Sequence, residues 1–217
     1  MAKSKSVYVC SECGAQSPQW LGRCPGCGKF GTLVEEIAEE PVPQKAAKRE
    51  RSGNFARPVP LKEVREERFA RIPSGIAELD VVLGGGIVPG SLVLVGGDPG
   101  IGKSTLLTEV AAHLSKTQKV LYVSAEESCS QVKLRCTRLG LGGSSMLLLN
   151  ETCLEDIEEA IGDETVVVID SIQAVYTSAL SSAAGSVGQV RECAGKLQRI
   201  AKSRGITFFI VGHVTKE

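Results

Sequence analysis

The chain has 217 residues, of which 42% are hydrophobic, and its 25 basic and 25 acidic residues give a net charge of zero. This length suits one mid-sized domain with a small appendage, and the apolar content is sufficient for a core. No apolar run reaches the ~18–20 residues of a membrane span, and residues 1–5 are not followed by the apolar segment of a secretory signal. A cytoplasmic protein without a membrane partner is therefore expected.

Four of the eight cysteines lie within residues 10–27, in two pairs with the spacing Cys-x-x-Cys. Each pair places two sulfurs on one side of a tight turn, which predicts a four-cysteine zinc ribbon over residues 1–34 with one Zn²⁺ held tetrahedrally. The predicted ligands are Cys10, Cys13, Cys24 and Cys27. Two local disulfides or an iron–sulfur site are the alternatives. The other cysteines, at positions 129, 136, 153 and 193, lack this spacing and are expected to be free buried thiols.

Aromatic and basic residues lie between and after the cysteine pairs, namely Trp20, Arg23, Lys29 and Phe30. Aromatic rings with basic neighbours are typical of surfaces that stack on single-stranded nucleic acid. The same residues also suit a minimal apolar core or a surface that docks a protein. The sequence leaves these three interpretations open.

Residues 35–70 carry four prolines, runs of charge and little apolar periodicity, which predicts a charged flexible linker. Within residues 45–71, nine lysines or arginines outnumber four glutamates. A basic connector can attract a polyanion, although an ordinary solvated linker has the same composition.

From residue 71 onward, short apolar strands alternate with helical patterns, as in an α/β protein with a mostly parallel sheet. The predicted strands are residues 91–95, 119–124, 146–149, 165–170 and 207–211. The predicted helices are residues 76–83, 103–115, 130–139, 154–161 and 190–204. Residues 71–217 are therefore interpreted as one α/β domain.

A phosphate-binding loop follows the first of these strands. Residues 97–104 match Gly-x-x-x-x-Gly-Lys-Ser/Thr, the Walker A or P-loop motif, between a strand and a helix as the motif requires. Lys103 is expected to reach the β- and γ-phosphates of ATP, the Ser104 hydroxyl to ligate Mg²⁺, and Thr105 to support the α-phosphate. The predicted nucleotide-binding residues here are Gly97, Asp98, Pro99, Gly100, Ile101, Gly102, Lys103, Ser104 and Thr105.

Acidic residues follow two other predicted strands. Asp170 ends the apolar run Val-Val-Val-Ile-Asp, where a P-loop protein places the second magnesium residue. Glu126 follows the strand that ends at residue 124 and is the favoured base for the attacking water, with Glu127 in reserve. Either glutamate also suits the start of the next helix. His213, after the last strand, is a candidate sensor of the γ-phosphate, although a structural hydrogen bond is the alternative.

The chain resembles the bacterial RadA (Sms) family of DNA-repair proteins over essentially its whole length. The resemblance is carried by the order of the cysteine pairs, the charged connector, RIPSGIAELDVVLGGGIVPGSLVLVGGDPGIGKSTLL, YVSAEES, VVVIDSIQ and IVGHVTKE. It implies a RecA-type P-loop NTPase fold and a DNA-dependent ATPase that acts in homologous recombination and branch-migrates recombination intermediates. It further implies a homo-oligomeric ring around single-stranded or branched DNA, and a RecA-type recombinase as partner.

By the same resemblance, Lys103 and Ser104 contact phosphate and magnesium, Asp170 is the second magnesium residue, Glu126 the base and His213 the sensor. Residues 178–188, rich in Ser, Ala and Gly, match a mobile loop that faces DNA, an ordinary surface loop being the alternative. Family members continue with further core strands, a Lys-Asn-Arg-Phe-Gly motif and a Lon-like domain. The ATPase domain is therefore expected to be incomplete at residue 217.

Three other functions fit parts of this pattern. A replicative-type helicase and a clock-type kinase share the ATPase core, but the cysteine module argues against both. A zinc-dependent adaptor that binds nucleotide without useful turnover is the non-enzymatic alternative. Measurement of ATP turnover with and without DNA separates the adaptor from the ATPase.

Overall fold

The structure is a computed structural model that describes residues 5–38, 58–63, 70–180 and 182–213. The chain divides into two compact units, residues 1–68 and residues 69–217. Most of the linker predicted for residues 35–70 lies outside the described residues, as do residues 1–4 and 214–217. Among the described helices, none has the length and apolar character needed to cross a bilayer.

The first unit contains a three-stranded antiparallel sheet with the strand order β2-β1-β3. Its strands are β1 (Lys5–Cys10), β2 (Gln16–Ser17) and β3 (Leu33–Ala38). Cys10 pairs with Leu33 across the sheet, and both side chains are buried with Cys24 in a small core. The strand β3 continues past residue 34, where the sequence predicts the zinc module to end, because β1 pairs with it as far as residue 38.

The second unit alternates strands and helices, as predicted. Its strands are β4 (Leu92–Gly97), β5 (Val120–Ser124), β6 (Leu147–Leu149), β7 (Val166–Asp170) and β8 (Thr207–His213). Its helices are α1 (Ala77–Val82), α2 (Lys103–Leu114), α3 (Cys129–Arg138), α4 (Leu154–Ala160) and α5 (Val187–Arg204).

These five strands form one parallel sheet with the order β4-β8-β7-β5-β6. Their carboxyl ends therefore meet at one edge, where open α/β sheets bind ligands. The register places Gly97 beside His213 and Ser124 beside Asp170. The loops that follow Gly97 and Ser124, together with Asp170 and His213 themselves, carry most of the predicted site.

The sheet is covered on both faces, which explains its continuous apolar strands. Along β7, Val167 and Ile169 face one core cluster together with residues of α4 and α5. Val166 and Val168 face the other cluster, which includes Leu107 of α2. The fold is thus the RecA-type α/β core that the sequence predicts.

Most element boundaries lie within one residue of the prediction, and three differ by two or three residues. One of these is the end of β4, which lies at Gly97 instead of residue 95. The helix α5 begins at Val187 rather than residue 190, because the Ser186 side chain caps it by accepting a hydrogen bond from the Gln189 amide. The strand β8 continues to His213 rather than residue 211, since it stays paired with β4 as far as Gly97. The predicted sensor residue is therefore the last residue of a strand.

Candidate nucleotide site and metal site

Residues 97–104 connect β4 to α2 as a tight loop. Gly100 and Gly102 have φ angles of 80° and 99°, in the left-handed region that favours glycine. Gly102 is the N-cap of α2 and provides no side-chain hydrogen bond to the first turn of the helix. The first N–H groups of α2, at the positive end of the helix dipole, are thus placed to bind an anion.

The Lys103 side chain folds back across this loop. Its Nζ donates hydrogen bonds to the carbonyl oxygens of Gly97 (2.9 Å) and Asp98 (2.8 Å). The residue is buried, so these bonds offset the loss of water around the ammonium. A phosphate entering the loop meets a positive charge that is already in place, with carbonyl partners that it must displace.

Two oxygen ligands meet beside the loop, as Mg²⁺ requires. The Ser104 Oγ donates to Asp170 Oδ1 at 3.0 Å. Adjacent ligands of an octahedral Mg²⁺ lie about 3.0 Å apart when each metal–oxygen distance is about 2.1 Å. The hydroxyl and the carboxylate therefore fit a magnesium site between α2 and β7, whose last residue is Asp170.

The second oxygen of Asp170 is held from inside the protein. The Tyr122 hydroxyl donates to Oδ2 at 2.6 Å, and the Arg135 guanidinium lies 3.7 Å from the same atom. Burial and the Asp170 carboxylate raise the pKa of Tyr122 well above its usual range, so the phenol keeps its proton and acts as the donor. Sequence reasoning missed both residues, although a tyrosine inside a buried strand is a recognisable signal.

The two glutamates after β5 have different surroundings. The Glu126 carboxylate accepts a short hydrogen bond from Ser171 Oγ and lies 3.5 Å from Nε2 of His213. Glu127 instead forms a close ion pair with Arg135. Glu126 and His213 are thus brought together at the ligand-binding edge, whereas Glu127 is turned toward α3.

A further polar residue, Gln173, lies next to His213. Its Nε2 donates to the His213 carbonyl oxygen at 3.2 Å. Its Oε1 and the Nδ1 of His213 are buried without a hydrogen-bond partner among the described residues. Gln173 was not singled out as a site residue from the sequence, although it is the last residue of the segment VVVIDSIQ.

The remaining predicted loop residues lie at the mouth of the loop. Asp98, Pro99 and Ile101 are exposed. Thr105 lines a cavity of about 460 Å³ between the P-loop helix and α3. The other residues lining this cavity are Glu127, Gln131, Leu134, Arg135 and Arg138.

Of the loop predicted as mobile over residues 178–188, residues 187 and 188 belong to α5, and described residues before them are held by hydrogen bonds from the Gln189 side chain. The Gln189 side chain is 1% exposed, and its Oε1 accepts a hydrogen bond from the Thr177 amide at 2.8 Å. Its Nε2 lies within hydrogen-bonding distance of the carbonyl oxygens of Thr177, Leu180 and Ser182. The composition of the loop did not reveal this anchor, which belongs to the helix that follows it.

The four predicted metal ligands converge in the first unit. The Sγ atoms of Cys10, Cys13, Cys24 and Cys27 all lie within 4.8 Å of one another. Cys10 and Cys27 are 3.7 Å apart and Cys13 and Cys24 3.5 Å apart, far beyond the about 2.05 Å of a disulfide. A tetrahedral ion with metal–sulfur bonds of about 2.3 Å places its sulfurs about 3.8 Å apart. All four cysteines are free in the structure, so the cluster fits one metal ion and not two local disulfides.

Local geometry supports this cluster. Burial opposes ionisation of the Cys10 thiol, but hydrogen bonding with Thr32 and with neighbouring backbone amides lowers its pKa to about 6. A Cβ at Gly26 would lie 2.8 Å from the Ala15 Cβ and 3.1 Å from the Cys13 Sγ, so only glycine fits there. A backbone hydrogen bond from Ala15 opposes the change, but burial and the neighbouring sulfurs raise the pKa of Cys13 to about 12. The close packing of the four sulfurs, and not their ionisation in the absence of a metal ion, is therefore what favours a bound cation.

Two large aromatic residues of the first unit are exposed rather than buried in its core. Trp20 is 60% and Phe30 77% exposed, and the Arg23 guanidinium lies 5.7 Å from the centre of the Phe30 ring. Lys29 pairs with Glu12. Of the three interpretations of these residues, the structure removes the minimal core and leaves a surface for nucleic acid or protein.

The other four cysteines are free, but they are not all buried. Cys136 and Cys193 are buried, as expected, in the two core clusters of the second unit. Cys129 and Cys153 are only partly buried, because both lie at the start of a helix beside exposed turns. The expectation of four buried thiols is therefore wrong for these two.

Comparison with known families gives two matches along the chain. Residues 56–217 match the AAA domain family, and residues 8–35 match the rubredoxin metal binding domain. The first match covers most of the chain and contains the P-loop, Asp170 and Glu126. The second contains all four clustered cysteines.

Curated relatives match the whole chain. DNA repair protein RadA of Halalkalibacterium halodurans and that of Bacillus subtilis are each 51% identical over 100% of this chain and 48% of their own length. The Campylobacter jejuni RadA is 46% identical over 100% of this chain and 49% of its own length. The chain thus spans about half the length of the curated relatives it matches.

A solved structure agrees on the fold. The KaiC-like protein PH0186 of Pyrococcus horikoshii has a TM-score of 0.55 and 21% identity, over 69% of this chain and 73% of its own. At this identity the likeness concerns the fold alone. The chain belongs to the AAA domain family, and the matches of its whole length to bacterial RadA proteins confirm the resemblance to the RadA (Sms) family that the motifs carry.

Proposed function

We propose that this chain binds ATP with Mg²⁺ and hydrolyses it, as the ATPase part of a DNA-dependent protein of recombination and repair. In the whole protein this activity would process or branch-migrate recombination intermediates. The observation that carries the proposal is the placement of Lys103, Ser104 and Asp170 around one loop, at the edge where the parallel strands end. An ammonium and two oxygen ligands at a helix N-terminus suit a triphosphate with its metal ion.

Each residue has a role that follows from its position. The Lys103 ammonium exchanges its two carbonyl partners for phosphate oxygens. Ser104 Oγ and Asp170 Oδ1, which lie 3.0 Å apart, would both be ligands of the metal ion. When bound there, Mg²⁺ supplies neutralisation of the charge on the β- and γ-phosphate oxygens.

Glu126 is the group best placed to orient the attacking water and accept its proton. It follows β5, close to Asp170, and its carboxylate is oriented by the Ser171 hydroxyl. Nε2 of His213 lies 3.5 Å away, so a change around Glu126 reaches the end of β8 directly. This contact supports the role of His213 as the γ-phosphate sensor.

The DNA and protein partners are inferred from the relatives, each of which is named as a DNA repair protein. Single-stranded or branched DNA, a RecA-type recombinase and a homo-oligomeric ring of the full-length protein are the proposed partners and assembly. The loop over residues 178–188 is the proposed DNA-facing element. The four-cysteine cluster, with Zn²⁺ as its proposed ion, would stabilise the surface that carries Trp20 and Phe30.

Nucleotide binding and turnover test the proposal together. Binding of a fluorescent ATP analogue and steady-state hydrolysis are measured with and without single-stranded DNA, in the unmodified protein and in Lys103→Ala. The matched control is Lys116→Ala, an exposed lysine beyond the end of α2. The proposal expects DNA-stimulated turnover that Lys103→Ala abolishes and Lys116→Ala leaves unchanged.

Two results would contradict it. Nucleotide affinity that survives Lys103→Ala unchanged refutes the phosphate assignment. Binding without turnover, with or without DNA, supports the non-enzymatic adaptor instead.

The assignment of Glu126 has its own comparison. Glu126→Gln removes the base but preserves size, so turnover should fall by about 10²–10⁴-fold while nucleotide binding persists. Equal turnover in Glu126→Gln and the unmodified protein would remove Glu126 from this role.

A further inference from the structure

A buried arginine on α3 lies behind the proposed magnesium site. The Arg135 side chain is 10% exposed, and the nearby Asp170 side chain is 8% exposed. A buried guanidinium is retained only where charged and polar partners replace the water that it has lost. The positions of those partners indicate what Arg135 does.

One side of the guanidinium faces the carboxylate. Its NH2 group donates to the Tyr122 hydroxyl at 3.2 Å, and that hydroxyl donates to Asp170 Oδ2 at 2.6 Å. Arg135 and Tyr122 together occupy the inner oxygen of Asp170. Oδ1 is left facing the Ser104 hydroxyl.

The other side of the guanidinium reaches the P-loop helix. Arg135 Nε donates to Thr108 Oγ1 at 3.1 Å, and Thr108 Oγ1 donates to the Ser104 carbonyl oxygen at 2.6 Å. Thr108 is completely buried, so the hydroxyl has a fixed place in this chain of hydrogen bonds. Through Thr108, Arg135 is linked to the backbone of Ser104, which is the other proposed metal ligand beside Asp170.

These contacts close a ring. It runs from Ser104 to Asp170, Tyr122, Arg135 and Thr108 and back to Ser104, and we name it the Arg135 ring. Its members come from α2, β5, α3 and β7, so it ties together the elements that meet at the magnesium site. Ligands held by a second set of hydrogen bonds keep the orientation that a metal ion needs.

Charge balance explains the place of Glu127. Arg135 is close to two carboxylates, Asp170 and Glu127, and its NH1 group contacts the latter. With Glu127 as its ion-pair partner, Arg135 leaves the Asp170 charge available to a cation. Glu127 therefore supports the Arg135 ring through this ion pair and does not act on the water that attacks ATP.

We propose that Arg135 and Tyr122 are positioning residues of the proposed reaction, which set the geometry of Ser104 and Asp170 for Mg²⁺-dependent nucleotide binding. The inference rests on the proposed function and adds to it a set of residues that lie outside the Walker motifs. Neither residue touches the nucleotide in this scheme, and both act through Asp170 and Ser104.

The test is the Mg²⁺ dependence of nucleotide binding, measured without turnover. Equilibrium affinity for a fluorescent ATP analogue is titrated across Mg²⁺ concentrations and repeated in EDTA. Tyr122→Phe removes one hydroxyl from the Arg135 ring and preserves the aromatic side chain in the core. Arg135→Lys keeps the charge but cannot make all of the guanidinium's contacts.

Loss of such supporting hydrogen bonds weakens metal affinity by roughly 10- to 100-fold. We expect the Mg²⁺ midpoint of Tyr122→Phe to rise by about 10-fold, and that of Arg135→Lys by at least as much, while affinity in EDTA stays unchanged. The control is Lys133→Met, on the same helix, whose ammonium bonds to the Gly142 carbonyl away from the ring. Circular dichroism and thermal unfolding of every variant verify that it is folded.

Each other result contradicts the inference. An unchanged Mg²⁺ midpoint in folded Tyr122→Phe and Arg135→Lys refutes it, and so does an equal loss of affinity with and without Mg²⁺. If the unmodified protein itself binds nucleotide independently of Mg²⁺ and of Lys103, the proposed function is what fails. The two failures are therefore distinguishable.

Discussion

The side chain of Gln189 gives a prediction that the structure makes quantitative. Substitution Gln189→Leu keeps the approximate size of this buried side chain and removes its amide. The Thr177 amide, in a residue that is 2% exposed, then loses its acceptor, and the loop carbonyl oxygens lose a shared donor. An unsatisfied buried polar group costs about 1–3 kcal/mol, so opening of the loop should become easier by about 2–3 kcal/mol.

Hydrogen exchange measures this opening directly. A difference of about 2–3 kcal/mol corresponds to roughly 30- to 140-fold faster exchange of the amides in residues 177–186. Exchange in α2 should stay unchanged, because the hydrogen bonds of the Gln189 side chain go to the loop and not to the P-loop helix. The control Arg199→Met lies on the same helix, where an exposed ion pair with Glu192 contributes little.

Function provides a second measurement on the same variant. If residues 178–188 contact DNA as proposed, Gln189→Leu should reduce the stimulation of ATP turnover by DNA and leave nucleotide binding intact. Protection of the loop that is equal in the variant and the unmodified protein would refute the anchoring role of Gln189.

Two further predictions concern metal and pH. Cys24→Ser should lower zinc content from about one ion per chain and unfold the first unit, as followed by metal analysis and by NMR of residues 5–38; a folded, metal-free first unit would contradict the metal site. Burial opposes ionisation of Glu155, yet hydrogen bonds from Thr177 and Lys196 lower its pKa to about 2. A lowered carboxyl pKa stabilises the fold above the unfolded value near 4.5 and stops doing so as pH falls through about 2. Glu155→Gln should therefore reduce thermal stability at pH 7. The difference in melting temperature between the variant and the unmodified protein should become smaller as the pH falls from about 4.5 to about 2, and a constant difference over that range would refute the stabilising role of the Glu155 charge.

The parts of this protein that sequence predicts are those written in local patterns. The P-loop and the strand ending at Asp170 are contiguous motifs, and alternating apolar segments indicate a parallel α/β sheet. The strands β1 to β3 were not predicted, because their short segments are organised around a cysteine cluster rather than an apolar face. The boundaries predicted for the cysteine module, the linker and the ATPase domain stay predictions.

The Arg135 ring shows why the other residues of the site could not be predicted from the sequence. Ser104 and Asp170 are 66 residues apart, and Tyr122 and Asp170 are 48 apart. Tyr122 lies in an apolar strand, where a large aromatic residue is expected to be buried for its size alone. Arg135 occupies a helix position where an ordinary exposed polar residue is expected. Only the strand order, which places β5 beside β7, brings the phenol to the carboxylate.

The bond between Lys103 and its own loop has a consequence for selectivity. The ammonium already donates two of its three hydrogen bonds to carbonyl oxygens, so an arriving anion that replaces these partners gains only the difference between two hydrogen-bonded arrangements. A single phosphate or sulfate ion has few other contacts with which to outcompete those carbonyls. A triphosphate has many more contacts, because it also reaches the amides of α2 and a cation at Ser104. The intramolecular hydrogen bonds of Lys103 therefore lower the affinity of the loop for small anions and favour a ligand that is long enough to contact the whole loop.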